Sequence, residues 1–330
     1  MLRRAAAAAM SAAWEARRRA YASGLWQGTH VSSRVVSVGN LTVGGTGKTT
    51  LTLHLAQRAV ALGVDARVVC RRYRPGPEGF GDEERLYQDA LGPGRVLAGR
   101  SKRERSLRAA ADGAQLVLVD DGFSHWALLR DLDIVLLDAL NPFDGGRLLP
   151  AGRLREPMRA LQRAQVVVLS RLAPGQDPEP ALSQAHRFAP AATLAAGRHA
   201  LVGFRALDGG RVAAPSRVRV VTATGNPAAV SRTASEAGCE VASASVYRDH
   251  HWFTPAEARS ELDLADRDRS EIVISAKDAV RWPLSDPRVR VMDVTWQWVC
   301  GGEDVERRVF AGLTGTGTAA HAAAVPRTIP

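Results

Sequence analysis

A glycine-rich loop between a predicted strand and a predicted helix is the first feature of this sequence that could do chemistry. Residues 34–38, RVVSV, are rich in β-branched side chains and run into GNLTVGGTGKTT at 39–50. Glycines let such a loop turn its N–H groups inward, and the start of the next helix adds a partial positive charge. We therefore predict that the loop binds a nucleoside triphosphate. The predicted binding residues are Gly44, Gly45, Thr46, Gly47, Lys48, Thr49 and Thr50.

Lys48 is the residue of this loop with the most specific role. Lysine occurs only at positions 48, 102 and 277, so its place between Gly47 and Thr49 is not a consequence of composition. In a phosphate-binding loop this lysine contacts the β- and γ-phosphates, and the hydroxyl after it binds Mg²⁺.

The loop departs from two known patterns. The strict phosphate-loop pattern has glycine where this chain has Thr42, and a family of partner-positioning ATPases has an additional lysine where this chain has Val43. The missing lysine argues against an ATPase that switches conformation to position a protein or membrane partner. That class of protein nevertheless stays open as an alternative.

Two consecutive aspartates end a later apolar run. LVLVDD at 116–121 carries Asp120 and Asp121 at the predicted carboxyl end of a strand. A nucleotide-binding sheet presents the carboxylate on its Mg²⁺ side at this place, so one of the two is expected to hold the metal, directly or through water. A turn or a helix cap is the simpler explanation of such a pair.

Composition bounds the class of protein and its partners. With 330 residues, a net charge of +10 and a pI near 10.4, the chain is long enough for two domains and strongly basic. Its basic residues are spread along the whole chain, and no nucleic-acid-binding motif accompanies them, so we expect no nucleic-acid partner. Cys70, Cys239 and Cys300 lie far apart and are expected to be reduced.

The N-terminal residues 1–30 predict a helix with two possible positions. The Ala-rich run resembles a signal peptide, but it is weakly hydrophobic and is followed by Glu15 and three arginines. It is also too short to span a bilayer. Met10, Trp14, Tyr21 and Leu25 fall on one helical stripe. That stripe fits either a membrane interface or packing against the domain itself.

Alternating apolar runs and helical segments define the fold class. DLDIVLLDA at 131–139 and AQVVVLSR at 164–171 are continuous apolar runs, typical of parallel strands covered on both faces. We predict an α/β protein with a doubly wound, mostly parallel sheet of the P-loop NTPase type and a second, smaller α/β domain. The predicted boundaries are 1–30 for the N-terminal helix, 31–180 for the core, 181–312 for the C-terminal domain and 313–330 for a disordered tail, with a linker over 172–195.

One longer stretch is idiosyncratic enough to suggest a family. DDGFSHWALLRDLDIVLLDALNPFDGGRLLPAGRLREP at 120–157, together with SVGNLTVGGTGKT at 37–49, closely resembles the tetraacyldisaccharide 4'-kinases of lipid A biosynthesis. The resemblance continues through GDE at 81–83, GNP at 225–227, DHHWFT at 249–254 and KD at 277–278. Departures are local: the family usually has glycine in place of Arg72 and glutamine in place of Ser124.

The resemblance implies an activity and a location. A member would transfer the γ-phosphate of ATP, with Mg²⁺, to the 4'-hydroxyl of a tetraacylated disaccharide 1-phosphate. It would be a peripheral monomer at the anionic surface of the inner membrane, on the cytoplasmic face.

The resemblance also implies site residues. Asp82 would be the base on the sugar hydroxyl, His250 its partner from the second domain, and Glu156 an active-site residue near the metal. Without the resemblance, Asp82 is expected to cap a helix, His250 to be a surface or hydrogen-bonded histidine, and Glu156 to form a surface ion pair with Arg155 or Arg153. The basic run at 100–108 fits a solvated helix face, or a contact with the substrate's 1-phosphate or with anionic headgroups.

Overall fold

The computed structural model describes residues 2–314 of the chain. These residues form two compact units. The first contains the chain through Arg71, Leu91–Arg198 and the chain from Trp296, and the second contains Arg72–Ala90 and His199–Thr295. Most of the predicted tail, from residue 315 onward, lies outside the described residues.

The first unit is built on a parallel sheet. Its strands are β1 (Arg34–Asn40), β2 (Ala66–Arg71), β3 (Val96–Gly99), β4 (Leu116–Asp120), β5 (Leu132–Asp138), β6 (Val166–Ser170) and the first part of β7 (Thr193–Arg205). They pair in the order β7-β6-β5-β1-β4-β2-β3, and each pairing is parallel. Every residue of β4 and β6 is buried, which means that both faces of the sheet are covered. The prediction of a mostly parallel α/β sheet is confirmed.

Five helices accompany this sheet among the described residues of the first unit. They are α1 (Leu2–Ala22), α2 (Lys48–Ala61), α4 (Lys102–Ala111), α5 (Glu179–His186) and α9 (Gly302–Val309). Ala109 of α4 packs with Val117 and Val119 of β4, whereas Leu182 of α5 packs with Leu169 of β6. Strand β1 leads directly into the glycine loop, and α2 follows the loop.

The expected linker over 172–195 is wrong. It contains α5, whose Leu182 and Ala185 are buried in the core, and the first residues of β7. The segment EPALSQAH is rich in polar residues and begins beside prolines, so its short apolar face gave little periodic signal. The strand TLAAGRHALVGFR was missed because small residues and a glycine replace the β-branched residues that indicate strands.

The second unit has a smaller set of strands and helices. Its strands are β8 (Arg211–Val212), β9 (Arg217–Thr222), β10 (Glu240–Val246), β11 (Glu271–Ser275), the later part of β7 and most of β12 (Val289–Cys300). Strands β10, β9, β11 and β12 pair in that order and in parallel, while β8 is antiparallel to β7. Its helices are α3 (Asp82–Leu91), α6 (Pro227–Glu236), α7 (Pro255–Asp268) and α8 (Ala276–Ala279).

The segment that carries Asp82 belongs to the second unit. Residues Arg72–Ala90 group with His199–Thr295, although the sequence-based boundary places residues 31–180 in the core. Asp82 and His250 therefore lie in one compact unit, not in two domains.

Helix α1 packs its aromatic residues against the first unit. The Trp14 ring lies 6.2 Å from the Trp126 ring and the Tyr21 ring lies 5.5 Å from it. Tyr21 is buried, whereas Leu25, beyond the end of the helix, is 77% exposed. The sequence allowed this helix to lie either in a membrane interface or against the domain. Trp14 and Tyr21 pack against the domain. Within residues 2–314, no helix is long and apolar enough to cross a membrane.

Candidate active site

The glycine loop leaves the start of α2 open to an anion. Gly47 precedes the helix with φ of 84° and no side chain caps the helix start, while Gly44 has φ of 113°. Both angles lie in the left-handed region that favours glycine. The Thr46 hydroxyl is buried without a hydrogen-bond partner among the described residues. The loop thus offers backbone N–H groups, a helix N-terminus and an unsatisfied hydroxyl, which are features of an anion-binding site.

Three cations surround Asp121 in the first unit. Lys48 Nζ lies 3.7 Å from Asp121 Oδ1, and Arg155 Nη1 donates to both carboxylate oxygens at 2.8 and 2.9 Å. The buried Lys102 donates its ammonium to the Asp121 carbonyl oxygen. Burial alone would raise the pKa of Asp121, but the charges of Lys48, Lys102 and Arg155 outweigh it and lower the pKa to about 2. The cluster keeps an excess of positive charge, which suits a polyphosphate.

The two predicted metal-side aspartates differ in their surroundings. Asp120 is the last residue of β4 and is buried, whereas the Asp121 side chain is 41% exposed and sits on a backbone with φ of 52°. Asp121 is therefore the more accessible carboxylate, and it lies next to the loop lysine. Thr49 and Thr50 lie in the first turn of α2, directly after Lys48.

Glu156 is held by protein partners. Its Oε2 accepts a 2.9 Å hydrogen bond from Trp14 Nε1 and pairs with Arg163. The Arg163 guanidinium carbon lies 4.2 Å from the centre of the Trp126 ring. The expected surface ion pair of Glu156 with Arg155 or Arg153 is wrong: Glu156 pairs with Arg163, and this pair is buried. Within residues 2–314, no three His, Cys, Asp or Glu side chains converge on a possible metal position, so a role of Glu156 at a metal stays a prediction.

Asp82 is a buried carboxylate surrounded by donors in the second unit. It is the first residue of α3, and its Oδ1 accepts the Glu83 N–H at 2.9 Å. Its Oδ2 lies 2.8 Å from His250 Nδ1, 3.4 Å from Arg281 Nη1 and 3.9 Å from Lys277 Nζ. Burial alone would raise its pKa, but the hydrogen bond with His250 and the charges of Lys277 and Arg281 lower the pKa to about 2.

His250 has an unusual backbone conformation. Its φ is 62°, which is uncommon for any residue other than glycine. The Tyr73 ring meets the imidazole edge-on at 5.2 Å, and the backbone N–H of His250 donates to the Ala223 carbonyl at 3.0 Å. A residue kept in a sparsely populated conformation by its surroundings is typical of functional sites.

The neighbouring His251 has a structural role. It pairs with Glu257 at 3.0 Å, and Glu257 also forms the capping box of α7 with Thr254. Its ring stacks on Tyr247 at 5.2 Å. Of the two adjacent histidines, His250 is the one that contacts Asp82, as the family resemblance implied.

Sequence reasoning missed several of the charged neighbours of these carboxylates. Arg281 contacts Asp82 and is fully buried with Asp278, and nothing in its local pattern indicated this. Lys277 appeared only as part of the KD motif, yet its ammonium lies 2.9 Å from Glu83. Lys102 was expected on a solvated helix face or at a substrate phosphate but is buried beside Asp121. The scarcity of lysine, which occurs only at positions 48, 102 and 277, is a signal that could have singled out Lys102.

The fold and these clusters define an α/β protein with an anion-binding loop at a helix start and a separate buried Asp–His pair. The family model described as tetraacyldisaccharide-1-P 4'-kinase matches residues 1–311, and the chain belongs to this family.

Relatives that align with most of this chain are named tetraacyldisaccharide 4'-kinases. The tetraacyldisaccharide 4'-kinase of Anaeromyxobacter sp. (strain Fw109-5) is 35% identical over 90% of this chain and 87% of the relative. That of Geobacter sulfurreducens is 33% identical over 83% and 81%. The "apo" form of LpxK from Aquifex aeolicus in complex with ATP has the same fold, with a TM-score of 0.68 and 23% identity over 92% of this chain and 96% of that one.

Proposed function

We propose that this chain transfers the γ-phosphate of ATP to the 4'-hydroxyl of a tetraacylated disaccharide 1-phosphate. The observation that carries the proposal is the buried Asp82–His250 pair, with its 2.8 Å hydrogen bond. A kinase must remove a proton from its acceptor hydroxyl, and a paired carboxylate and imidazole suit that task. Family membership supports the choice of acceptor.

The glycine loop would hold the nucleotide. The backbone N–H groups of 44–47 and the start of α2 would bind the phosphates, and Lys48 would contact the β- and γ-phosphates. The residues present also fit Mg²⁺, because Thr49 and the accessible Asp121 supply oxygen ligands beside the loop. Mg²⁺, when bound, neutralises phosphate charge during transfer. To bind Mg²⁺, Asp121 would give up its contact with Lys48, and Asp120 would support the binding of the ion.

The Asp82–His250 pair would take the hydroxyl proton. Because Asp82 is held ionised at a pKa of about 2, the proton in its bond with His250 belongs to Nδ1. The ring nitrogen left for the acceptor hydroxyl is Nε2, which lies 3.8 Å from Asp249 Oδ2. The resemblance makes Asp82 the base, but both of its oxygens already accept contacts from protein groups. We assign the first proton transfer to His250 Nε2 and the orienting role to Asp82.

The pH dependence of turnover tests whether Asp82 is the base. With the Asp82 carboxylate as acceptor, kcat stays level down to about pH 4, because the pKa of Asp82 is about 2. A fall of kcat at a higher pH would exclude Asp82 as the first proton acceptor.

Incubation with γ-labelled ATP and a lipid disaccharide 1-phosphate tests the proposed function. Label in the lipid product is expected, and release of phosphate without labelled lipid would instead support a switch ATPase. Omission of Mg²⁺ is the control, because transfer should then fall to background.

The proposed contact with the membrane would be made by the end of α1 and the residues that follow it. Leu25 and Trp26 are 77% and 49% exposed although both are large and apolar, and Arg17 and Arg19 near the end of the helix are also exposed. Apolar side chains beside arginines suit the interface of an anionic bilayer. We place this surface at the cytoplasmic face of the inner membrane.

A further inference from the structure

The residues between β2 and α3 lead directly to Asp82 without regular structure. Strand β2 ends at Arg71 and α3 begins at Asp82, so residues 72–81 form a loop that contains three glycines and two prolines. A loop of this composition has many accessible conformations. Contacts that restrict this loop are therefore needed to keep Asp82 beside His250.

An ion pair joins the two ends of this loop. Arg72 Nε and Nη2 donate to the two carboxylate oxygens of Glu84 at 2.8 and 2.6 Å. The Glu84 side chain is 3% exposed, and its Oε2 also accepts the Gly81 N–H at 3.2 Å. Arg72 and Glu84 thus flank Asp82 in the sequence, and the bond to Gly81 fixes the residue directly before it.

The geometry of this pair favours a strong interaction. Two parallel N–H···O bonds from one guanidinium fix orientation as well as distance. Glu84 is buried, so removal of Arg72 would leave a buried carboxylate with fewer donors, which is costly. The Arg72 guanidinium also lies 5.9 Å from the Phe80 ring, within the same loop.

The held loop contacts the segment that carries His250. Trp252 donates its Nε1 hydrogen to the Arg74 carbonyl at 3.0 Å, and a Cβ added at Gly76 would lie 2.5 Å from the Trp252 ring. The Tyr73 ring contacts the His250 imidazole. A shift of the loop would therefore disturb both members of the Asp82–His250 pair.

We propose that Arg72 is a positioning residue, and that its ion pair with Glu84 holds the 72–81 loop so that Asp82 stays in hydrogen-bond contact with His250. This inference rests on the proposed function.

The test compares Arg72→Ala with Arg72→Lys and with Arg85→Ala. Arg85 is a matched control, because its side chain is 45% exposed against 43% for Arg72 and it pairs with the exposed carboxylates of Glu78 and Asp89. Displacement of a reacting group by about 1 Å can cost up to about a hundredfold in rate, so we expect Arg72→Ala to lower kcat by about ten- to a hundredfold. The KM for ATP should change less than about twofold. Arg72→Lys should recover part of the rate, and Arg85→Ala should match the parent protein.

Two further measurements make the inference falsifiable. In an Asp82→Asn background, Arg72→Ala should cause no further loss of kcat, because Arg72 acts through Asp82. Hydrogen exchange should become faster at the amides of residues 73–81 in Arg72→Ala but not in Arg85→Ala. An unchanged kcat, a full additional loss in the Asp82→Asn background, or unchanged exchange in the loop would each overturn the inference. The exchange result does not depend on transfer activity, so failure of the proposed function would be seen separately, as absence of labelled lipid with the parent protein.

Discussion

The charge on Asp82 should contribute measurably to the stability of the folded chain. An aspartate in the unfolded chain has a pKa of about 3.9. In the folded chain the pKa of Asp82 is about 2, so Asp82 binds its proton only at a much lower pH. A difference of this size corresponds to about 2 to 3 kcal/mol of unfolding free energy. The folded pKa is the lower one, so this stability is present above about pH 4 and is lost as the pH falls towards about 2.

Asp82→Asn removes this titration and is the perturbation to examine. The unfolding free energy of the parent protein and the variant would be measured by urea denaturation, followed by circular dichroism, at several pH values from 7 to 2.5. We expect the difference between them to be about 2 to 3 kcal/mol near neutral pH and to shrink steadily below about pH 4. Part of the neutral-pH difference would come from leaving Arg281, which is fully buried, without one of its carboxylate contacts.

Asp89→Asn is the matched control for this experiment. Asp89 lies on the same helix, and its side chain is 56% exposed in an ion pair with Arg85. Such surface pairs contribute little, so this variant should stay within about 0.5 kcal/mol of the parent protein at each pH. A difference curve for Asp82→Asn that is level from pH 7 to 2.5, or that grows as the pH falls, would refute the cationic surroundings assigned to Asp82.

Three other perturbations test the remaining groups. Lys48→Ala should lower phosphate transfer by about a hundredfold or more while circular dichroism stays unchanged, and near-normal turnover would exclude the loop as the nucleotide site. Asp82→Ala and His250→Ala should each lower kcat strongly, and the double variant should be little slower than the poorer single one; rate losses that multiply would show independent roles. Replacing Leu25 and Trp26 by serine should weaken co-sedimentation with anionic vesicles by about tenfold or more, and unchanged sedimentation would remove these side chains from the membrane contact.

Most strands of the sheet could be predicted from local pattern. The runs at 116–121, 131–139 and 164–171 appear as β4, β5 and β6 within one or two residues, because a strand buried on both faces must be apolar along its whole length. The start of α2 at Lys48 agrees with the glycine loop, since glycine supplies the positive φ that precedes the helix. Strand β7 and helix α5 were missed because their burial comes from neighbours in the fold and leaves little trace in their own sequences.

The candidate site was predictable only where a motif or a family resemblance covered it. Residues 44–50 and Asp121 follow from the spacing of a phosphate-binding loop and from a strand that ends in acidic residues. Asp82 by itself is indistinguishable from a helix cap, and it does accept the N–H of Glu83 at the start of α3. In the sequence, only the resemblance to a known family distinguishes His250 from His251.

The sequence by itself therefore determined the class of fold, the anion-binding loop and the family, since each is encoded by residues close together in the chain. Only the tertiary structure decided which charges surround each carboxylate. Asp82 and His250 are 168 residues apart in the sequence and 2.8 Å apart in the fold. Lys277 on α8 and Arg281 just after that helix reach Asp82 from another part of the chain. The pKa of a carboxylate depends on the distances to such groups and on its burial. Those distances arise from the packing of elements that are remote in the chain, so no local pattern could supply them.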